Sequence, residues 1–387
     1  MKTLGIIAEY NPFHNGHLYH LNESKKIVNP DCTICIISGN FIQRGQPSIY
    51  NKWIKAKTAL KAGINLVIEL PTYYAVNNAE NFSKYSMDIF NALNVSYISF
   101  GAETDNIKIL NNIANILINE PDEYKSILKK ELNKGTLFAK ASEIAILSTL
   151  KDESYNNILN NPNNILAIEY LKAITRTNSN IIPHAIKRTN DYLDTKINTN
   201  ICSATAIRTA LEKNENIQNV IPEFTYNIIA KEQPKFLKDF EKEILFNIRS
   251  MNSNALKDIL EVTEGLENRL KDNCFKTDDI HEFIQLMNTK RFTQTKISRI
   301  LIHILLNMTK TEFKNINNKY IRVLAFDNIG EQFLKENSKQ CSIPIITSLK
   351  KHIDTYGNNT LLNMDILASN LYCKENNIDF TQKIIKE

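Results

Sequence analysis

The sequence has no long apolar run, because no window approaches the roughly 18 consecutive apolar residues typical of a membrane-spanning helix. An apolar stretch follows Lys2, but Glu9 interrupts it too early for the hydrophobic segment of a signal peptide. These absences count against the common membrane and secretory classes. We therefore expect a cytoplasmic protein that has no membrane partner.

Cysteine is sparse. Six residues are scattered through 387, which is typical of reduced thiols in a cytosolic protein. Cys32 and Cys35 have the spacing of a redox or zinc motif. However, residues 32–37 form an apolar run typical of a buried strand, in which positions three apart face opposite sides. We predict that both thiols pack in the core and that neither has a redox or zinc-binding role.

Excess charge is also small. The 47 Lys and Arg residues against 42 Asp and Glu residues give a formal net charge of +5, which permits an RNA partner without requiring one. The composition, with 43% apolar and 23% charged residues, is that of a globular protein. A chain of this length suffices for two or three domains with cores of their own.

The most informative stretch is a strand, a turn and a helix near the N-terminus. Residues 4–8 form a short apolar run that contains β-branched side chains, as in a buried parallel strand. The Asn11-Pro12 pair then breaks the chain, and apolar residues recur at helical spacing from His17 onward. The turn and the first helical turn therefore carry His14 and His17.

These two histidines are the first candidates for catalytic residues. Positions three apart on a helical turn share a face, so both imidazoles can contact one ligand. A helix N-terminus also attracts anions through its free N–H groups and its dipole. The pair is therefore typical of a site that stabilises charge at phosphorus. Gly16, between the histidines, lets a phosphate or a flat ring approach the backbone.

Two other interpretations of the histidine pair are weaker. The His-x-x-His spacing also occurs in metal sites, but the sequence offers no obvious partner ligands, and we predict no metal site. Histidine pairs also occur as ordinary core or surface residues. The position directly after the first strand favours the functional interpretation.

Further apolar runs alternate with helical patterns through the first half of the chain. This alternation predicts right-handed crossovers and a parallel sheet covered by helices on both faces. The predicted strands are residues 33–37, 66–70, 95–100 and 181–188, and the predicted helices include 49–62 and 79–93. On the first of these helices, Lys52 and Lys55 share a face that we expect to be solvated.

Polar residues follow several strand ends, where ligands bind in open α/β sheets. Arg44 lies in a glycine-bracketed loop after the second strand and is either an anion ligand or a solvated arginine. Gly101 permits close approach of a ligand. Asn163 is either a helix N-cap or a contact to a base or ribose. Arg188 is one of two cations at the end of the late strand.

A second phosphate-binding candidate lies at residues 203–208. Ser203 can cap a helix whose free N–H groups point at phosphate, and Arg208, about a turn and a half later, can neutralise the phosphate. Thr205 lies between them. The pattern alone is weak, but it gains strength when it is paired with the two histidines at the other end of the same predicted domain.

The second half of the chain has mainly helical periodicity, so we predict domains at residues 1–215 and 216–387. A regular apolar stripe runs through residues 297–308, and residues 320–326 form either a short strand or the start of a loop. Four cations near the N-terminus of the stripe oppose the helix dipole, so they either face an RNA backbone or form a solvated basic patch. These cations are Lys290, Arg291, Lys296 and Arg299.

The motif Pro12-x-His14-x-Gly16-His17 resembles the HxGH motif of the nucleotidylyltransferase superfamily, which includes the class I aminoacyl-tRNA synthetases. Residues 9–17 as a whole are similar to one narrower family, the bacterial tRNA(Met) cytidine acetate ligases. The resemblance covers most of the chain through residues 38–45, 100–103, 162–166, 186–188 and 203–208. Ala167 departs from the glycine expected in that family, which bears on local packing and leaves the chemistry unchanged.

The resemblance implies an α/β fold, with a Rossmann-like parallel sheet of the HxGH nucleotidylyltransferase type followed by a mainly α-helical C-terminal domain that helps to bind tRNA. It implies an ATP-dependent ligase that activates acetate as acetyl-adenylate. The product would be N4-acetylcytidine at the wobble position of elongator tRNA(Met). ATP is the expected nucleotide substrate, and a role for Mg²⁺ stays open.

The resemblance also implies where the sites lie. His14 and His17 are the expected catalytic residues, and the phosphate-binding candidates are Ser203, Thr205, Arg208 and Arg44. The expected ATP-binding residues are Ile7, Ala8, Glu9, Tyr10, Asn11, Pro12, Phe13, His14, Asn15, Gly16, His17, Leu18, Tyr19, His20, Gly101, Asn163 and Arg188.

Two other functions stay open at this point. One is a nucleotidylyltransferase that acts on a small phosphorylated substrate and also releases pyrophosphate. The other is a nucleotide-sensing RNA-binding protein without catalysis. Only the ligase requires acetate and tRNA.

Overall fold

The computed structural model describes residues 1–188, 200–263 and 265–387. The strands are β1 Thr3–Ala8, β2 Cys32–Ser38, β3 Phe41–Ile42, β4 Gln46–Pro47, β5 Leu66–Leu70, β6 Tyr97–Ala102, β7 Ile182–Lys187, β8 Ile321–Phe326, β9 Ile345–Ile346 and β10 Ile385–Lys386.

The helices of the first 230 residues are α1 Asn15–Val28, α2 Lys52–Lys61, α3 Thr72–Ala75, α4 Ala79–Ala92, α5 Ile107–Asn119, α6 Asp122–Asn133, α7 Phe138–Leu150, α8 Pro162–Arg176, α9 Ala204–Glu212 and α10 Glu223–Ile229. The later helices are α11 Glu241–Ser250, α12 Ser253–Asp258, α13 Leu266–Asn273, α14 Ile280–Met287, α15 Gln294–Leu306, α16 Lys310–Lys314, α17 Asn328–Asn337, α18 Leu349–Tyr356, α19 Thr360–Cys373 and α20 Ile378–Thr381.

A central sheet organises these elements. Its strand order over the described residues is β10-β8-β5-β2-β1-β6-β7, and β9 pairs with β8. The five strands from the first half of the chain are parallel to one another. From β1 the chain first builds outward to β2 and β5, and then returns to place β6 and β7 on the other side. A crevice for ligands therefore forms at the carboxyl ends of β1 and β6, where the strand order reverses.

This architecture confirms the predicted α/β fold class with its mainly parallel sheet. The strand predicted at residues 95–100 begins at Tyr97, because Val95 still donates its N–H to Phe90 in the turn that ends α4. The helix predicted at residues 49–62 begins at Lys52, because the Asn51 side chain caps it by accepting two backbone N–H groups.

The sheet continues across the boundary that the sequence predicts near residue 215. β8 lies antiparallel against β5, and β9 and β10 pair with β8. Residues 320–326 therefore contain a strand. The division into domains 1–215 and 216–387 stays a prediction, but the segment after residue 216 contributes strands to the sheet that the first half begins.

The expectation that Lys52 and Lys55 form a solvated face is wrong, since both side chains are buried. The Lys52 ammonium lies 2.9 Å from Glu69 and 3.0 Å from Asp379. Arg322 completes this cluster, 3.3 Å from Glu69 and 3.0 Å from Asp379. The two cations compensate two carboxylates within the core, and they connect α2, β5, β8 and α20.

Cys32 and Cys35 are buried on β2 and pack into two different apolar clusters, as the strand periodicity predicts. The residues between them belong to the same continuous buried strand. In the described part of the chain, each helix is too short or too polar to cross a lipid bilayer.

Candidate active site

A cleft of about 260 Å³ opens at the carboxyl ends of β1, β6 and β7. The N-termini of α1 and α9 border it, and so does the loop between β3 and β4. The cleft therefore occupies the crevice that the strand order creates. Both segments that the sequence marks as phosphate-binding candidates contribute to its wall.

His14 and His17 are held at the start of α1 by backbone hydrogen bonds. Nδ1 of His14 accepts the N–H of Gly16 at 3.0 Å, and Nδ1 of His17 accepts the N–H of His14 at 3.2 Å. The two rings stack with centroids 3.8 Å apart. Because each Nδ1 is an acceptor, each neutral ring carries its proton on Nε2. The helix start thus presents two Nε2–H donors.

Gly16 is required for this arrangement. A Cβ at position 16 would lie 2.9 Å from Cε1 of His14 and 3.0 Å from its Nδ1. The sequence predicts that Gly16 opens the backbone to a ligand. The structure adds that the missing side chain also leaves room for the His14 ring.

Burial keeps both imidazoles neutral. Burial, followed by the positive charges of Arg188 and Arg208, lowers the pKa of His14 to about 3. Burial, then His14 and Arg188, hold the pKa of His17 well below its ordinary value. Neutral rings donate through Nε2 without adding charge, and a bound polyanion would offset the arginine charges that disfavour protonation.

The rings of Tyr10 and Phe13 pack against the ring of His17. The Tyr10 ring lies 5.0 Å from the His17 ring in an edge-on contact, and the Phe13 ring lies 5.6 Å from it. Tyr10 has a φ of +46°, in the left-handed region that a bulky residue rarely adopts. Such local strain is often found at functional sites, where packing holds it in place.

His20 belongs to a directional chain of hydrogen bonds. The Ser24 hydroxyl donates to the carbonyl oxygen of His20 at 2.6 Å. Ser24 must therefore accept from the Ser99 hydroxyl, 2.7 Å away, and Ser99 must accept from Nε2 of His20 at 3.2 Å. This chain leaves Nδ1 of His20 as an acceptor. Burial, followed by the Arg188 charge, lowers the pKa of His20 to about 4.

Three arginines supply the positive charge of the cleft. Arg208 donates to the Asn11 carbonyl at 3.3 Å and to the Thr205 hydroxyl at 2.9 Å. Burial, followed by the Arg44 charge, lowers its pKa to about 10. The pKa of Arg188 is also lowered by burial and by Arg44, and its Nε has no hydrogen-bond partner among the described residues. Clustered cations of this kind favour a polyphosphate ligand.

The N-terminus of α9 faces the same space. Ser203 caps this helix by accepting the N–H of Ala206 at 3.1 Å, as the sequence predicts. The neighbouring residues Ala204 and Thr205 line the cleft. The positive end of the α9 dipole therefore adds to the arginine charges.

A buried lysine connects the backbone at the ends of β1 and β2. Lys55 donates to the carbonyl oxygens of Ser38 and Gly39 at 2.7 and 2.8 Å, and to that of Glu9 at 3.1 Å. Burial lowers its pKa to about 7. The carboxylate of Glu9 in turn accepts the N–H of Gln43 at 3.0 Å. These bonds tie the ends of β1 and β2 to the loop that carries Arg44.

The family of the chain follows from three comparisons. The model of the HIGH Nucleotidyl Transferase family matches residues 1–385. The tRNA(Met) cytidine acetate ligases of Caldanaerobacter subterraneus subsp. tengcongensis and of Thermoanaerobacter sp. strain X514 are 40% and 41% identical to this chain, over the full length of both proteins in each case.

Two solved structures agree with this result. The apo form of Thermotoga maritima TmcAL is 31% identical and superposes with a TM-score of 0.94, over 100% of this chain and 99% of that chain. The form bound with alpha-thio ATP is 30% identical, with a TM-score of 0.92 over the same shares. The chain belongs to the tRNA(Met) cytidine acetate ligase family.

The structure brings together most of the site residues that the sequence predicts for a tRNA(Met) cytidine acetate ligase. The predicted residues that line the cleft are Ile7, Ala8, Glu9, Tyr10, His14, Gly16, His17, Tyr19, His20, Arg44, Gly101, Asn163, Arg188, Ser203, Thr205 and Arg208. Five others stand outside its wall: Asn11, Pro12, Phe13, Asn15 and Leu18. The ATP-binding role of each stays a proposal.

Two of those five residues hold the framework of the ligase site. The Asn11 side chain accepts the N–H of Ile49 at 2.6 Å. The Asn15 amide donates to the carbonyl oxygens of Asn200 and Asn219 at 2.8 and 3.1 Å. These bonds fasten the turn and the start of α1 to distant parts of the chain.

Asn163 is not an N-cap, because Asn161 occupies the cap position of α8 and Pro162 begins the helix. The Asn163 amide donates to the Glu103 carboxylate at 2.6 Å. Gly101, near the end of β6, lies beside Arg188, since a Cβ at Gly101 would be 3.6 Å from Cγ of Arg188. The asparagine thus joins α8 to the end of β6.

Sequence analysis misses the apolar part of the ligase cleft. The additional wall residues include Phe82, Phe100, Leu166 and Tyr170. The Phe100 and Tyr170 rings lie 5.5 Å apart. These side chains come from α4, β6 and α8 and read in the sequence as ordinary core residues, so no local pattern distinguishes them.

The four predicted tRNA contacts lie outside the cleft. Lys290 and Arg291 are exposed, and Lys296 donates to Thr263 at 3.1 Å. Arg299 makes two hydrogen bonds to Glu261, at 2.6 and 2.9 Å. The start of α15 nevertheless adjoins the cleft, because Gly45 packs directly on the Arg299 backbone and follows Arg44 in the loop between β3 and β4.

Proposed function

We propose that the chain is an ATP-dependent ligase that activates acetate as acetyl-adenylate and acetylates the wobble cytidine of elongator tRNA(Met). The observation that carries this proposal is the pair of imidazole Nε2–H donors that share one cleft with Arg44, Arg188 and Arg208. A relative of known structure binds alpha-thio ATP. The names of the relatives at about 40% identity support the tRNA and the acetate.

The first step joins acetate to the α-phosphorus of ATP. One acetate oxygen attacks phosphorus, the bond to the bridging oxygen of pyrophosphate breaks, and the products are acetyl-adenylate and pyrophosphate. Activation is needed because an unactivated carboxylate has no good leaving group. In the second step the N4 amine of cytidine attacks the acetyl carbon. The amine loses a proton, and AMP departs with the former acetate oxygen.

Each group in the cleft has a physical role in this scheme. Negative charge accumulates on the phosphate oxygens as the acetate oxygen approaches, and the Nε2–H groups of His14 and His17 stabilise it. Arg188 and Arg208 neutralise the triphosphate and the departing pyrophosphate. The dipoles of α1 and α9 add positive potential at the same point. No covalent intermediate with the protein is required.

We propose that Mg²⁺ enters with ATP. Mg²⁺ is usually held by one or two carboxylates together with substrate phosphates, and the Glu9 carboxylate lines the cleft. Within the described residues, no three His, Cys, Asp or Glu side chains form a metal site. Because the proposed substrate is a tRNA, we propose that the enzyme acts in the cytoplasm.

We propose that the tRNA binds a basic surface at the start of α15 and in the residues just before it. This basic surface is defined by Lys290, Arg291, Lys296 and Arg299. This basic surface adjoins the Arg44 loop, so an anticodon arm bound there could place its wobble base in the cleft. The base must be turned outward for its amine to react. Lys290 and Arg291 are the better candidates for phosphate contacts, because both residues are exposed, whereas Arg299 is only partly exposed.

ATP–pyrophosphate exchange tests the proposed function. The ligase predicts exchange that depends on acetate, and transfer of labelled acetyl to unmodified elongator tRNA(Met) but not to other tRNAs. Exchange indifferent to acetate would instead indicate a transferase for another substrate. ATP binding without exchange, with or without acetate and tRNA, would indicate a nucleotide sensor.

The exchange reaction and the acetyl transfer to tRNA together test the basic surface. Replacing Lys290 and Arg291 together by glutamine is expected to leave acetate-dependent exchange unchanged, because neither side chain lines the cleft. The KM for tRNA should rise about tenfold, since two phosphate contacts are lost. The matched control replaces the exposed Lys125 and Lys129 of α6. An unchanged KM in the first variant would remove the basic surface from the proposal.

A further inference from the structure

A second cavity, of about 790 Å³, lies at the β10–β8–β9 edge of the sheet, bordered by α17 and α18. It shares no wall residue with the active-site cleft. Its size is within the range that holds a drug-sized small molecule. The cavity is therefore separate from the cleft of the proposed ligase reaction.

Arg322 forms part of its wall and is only 2% exposed. The Nη1 atom of its guanidinium makes both of the ion pairs that Arg322 contributes to the buried cluster, to Glu69 and to Asp379. Within the described residues, Nε and Nη2 of Arg322 make no hydrogen bond. Arg322 lines the cavity and is ion-paired with Glu69 and Asp379, and its two remaining donor groups are available to acceptor oxygens of a ligand in the cavity.

The N-terminus of α18 meets the same cavity. Thr347, the N-cap Ser348, Leu349 and Lys350 all line it. The free N–H groups and the dipole of a helix start attract phosphate. Lysines add to this potential, since Lys335, Lys350, Lys383 and Lys386 line the cavity against the two carboxylates Glu331 and Asp379. Glu331 pairs with Lys335 and Lys386 at 3.5 and 4.0 Å, so Lys350 and Lys383 are the cations of this wall that make no ion pair with the described residues.

The rest of the wall is apolar. Trp53, Val323, Phe326, Leu334, Ile346 and Phe380 contribute to it. The Phe380 side chain is 43% exposed although it borders a cavity. Trp53 and Phe326 are only 8% and 6% exposed, so Phe380 is the ring that a ligand with a flat ring would cover and that an anion alone would leave open.

We propose that this cavity binds a phosphomonoester joined to a flat ring, which is the chemistry of a nucleoside monophosphate. The phosphate contacts Arg322, Lys350 and the start of α18, and the ring packs against the aromatic wall. A terminal phosphate can enter such a cavity, whereas a phosphodiester within an RNA chain continues in two directions.

Trp53 makes the proposal directly measurable, because it is the one tryptophan of the sequence and it lines this cavity. AMP is the probe, and inorganic phosphate and adenosine, the two parts of AMP, are tested separately. We expect AMP to cause a saturable change in Trp53 fluorescence, and we expect inorganic phosphate and adenosine each to bind more weakly than AMP. Equilibrium dialysis should count one more bound AMP per chain than the active-site cleft accounts for.

The test variant replaces Lys350 and Lys383 by glutamine. Their side chains are exposed and make no hydrogen bond or ion pair with the described residues, so the fold should tolerate the change. The Kd for AMP measured through Trp53 should rise about tenfold. Replacement of Lys125 and Lys129 by glutamine, and His14→Asn in the cleft, should each leave that Kd unchanged.

Three results would overturn the proposal. One is no saturable fluorescence change together with no additional AMP in dialysis. A second is a Kd that does not respond to the Lys350 and Lys383 replacements, or that responds to His14→Asn. The third is adenosine binding as tightly as AMP, which would remove the phosphate from the recognition.

Discussion

Replacing His14 by asparagine is expected to lower the rate of ATP–pyrophosphate exchange about a hundredfold or more, the usual cost of removing one donor that stabilises transition-state charge. Asparagine is among the best N-cap residues, so it can accept the Gly16 N–H that His14 accepts now. The imidazole Nε2–H is lost while the start of α1 is retained. Exchange kinetics and a urea unfolding curve, measured on the same preparation, separate the two effects.

The matched control for this change is His281→Asn, because His281 is exposed at the start of α14. It should exchange pyrophosphate at the normal rate. If the His14 variant kept its exchange rate as well, the imidazole would have no part in catalysis. If the His14 variant lost exchange only because the protein unfolded, the urea unfolding curve would show that loss of stability.

Replacing Lys52 by methionine is expected to lower the free energy of unfolding by about 3–5 kcal/mol, because removing one partner leaves buried charge uncompensated. The Lys52 ammonium contacts both Glu69 and Asp379 and is fully buried. Burial alone would raise the pKa of Asp379, but Lys52 and Arg322 together hold it below its usual value. Urea unfolding, followed by circular dichroism, measures the loss.

Lys57→Met on the same helix is the control, because Lys57 is exposed. It should change the free energy of unfolding by less than about 0.5 kcal/mol, as is usual for surface substitutions. Equal stability of the Lys52 and Lys57 variants would mean that the buried cluster relaxes or admits water, contrary to the tight pairing described above.

Local patterns predict the parts of this structure that depend on neighbours in sequence. The alternation of apolar runs and helical spacing predicts the parallel strands, and the serine at position 203 predicts the start of α9. The His14 and His17 pair is also local, since its members are three positions apart on one helical turn. These features follow from periodicity and capping alone.

Long-range partners explain what the sequence does not predict. Lys52 looks like a solvated helix lysine because its partner Asp379 is 327 residues away. Arg299 looks like a free cation because Glu261, which accepts its two hydrogen bonds, is 38 residues away. β8 reads as strand or loop because its neighbour β5 lies in the other half of the chain.

The protonation pattern of the site also needs coordinates. The spacing of His14 and His17 predicts that the two rings can meet one ligand. Only the hydrogen bonds of their Nδ1 atoms show that Nε2 carries the proton in both rings. The sequence therefore predicts the place of the site and the residue types, and the structure supplies the direction of the donors.

The central claim is that acetate is activated at the α-phosphorus of ATP, and oxygen labelling tests it most directly. The reaction is run with ATP, unmodified elongator tRNA(Met) and acetate labelled with ¹⁸O in both carboxylate oxygens, and the AMP is examined by mass spectrometry. The mechanism predicts one ¹⁸O atom in the phosphate of AMP for each acetyl group transferred. N4-acetylcytidine formed together with unlabelled AMP would contradict it.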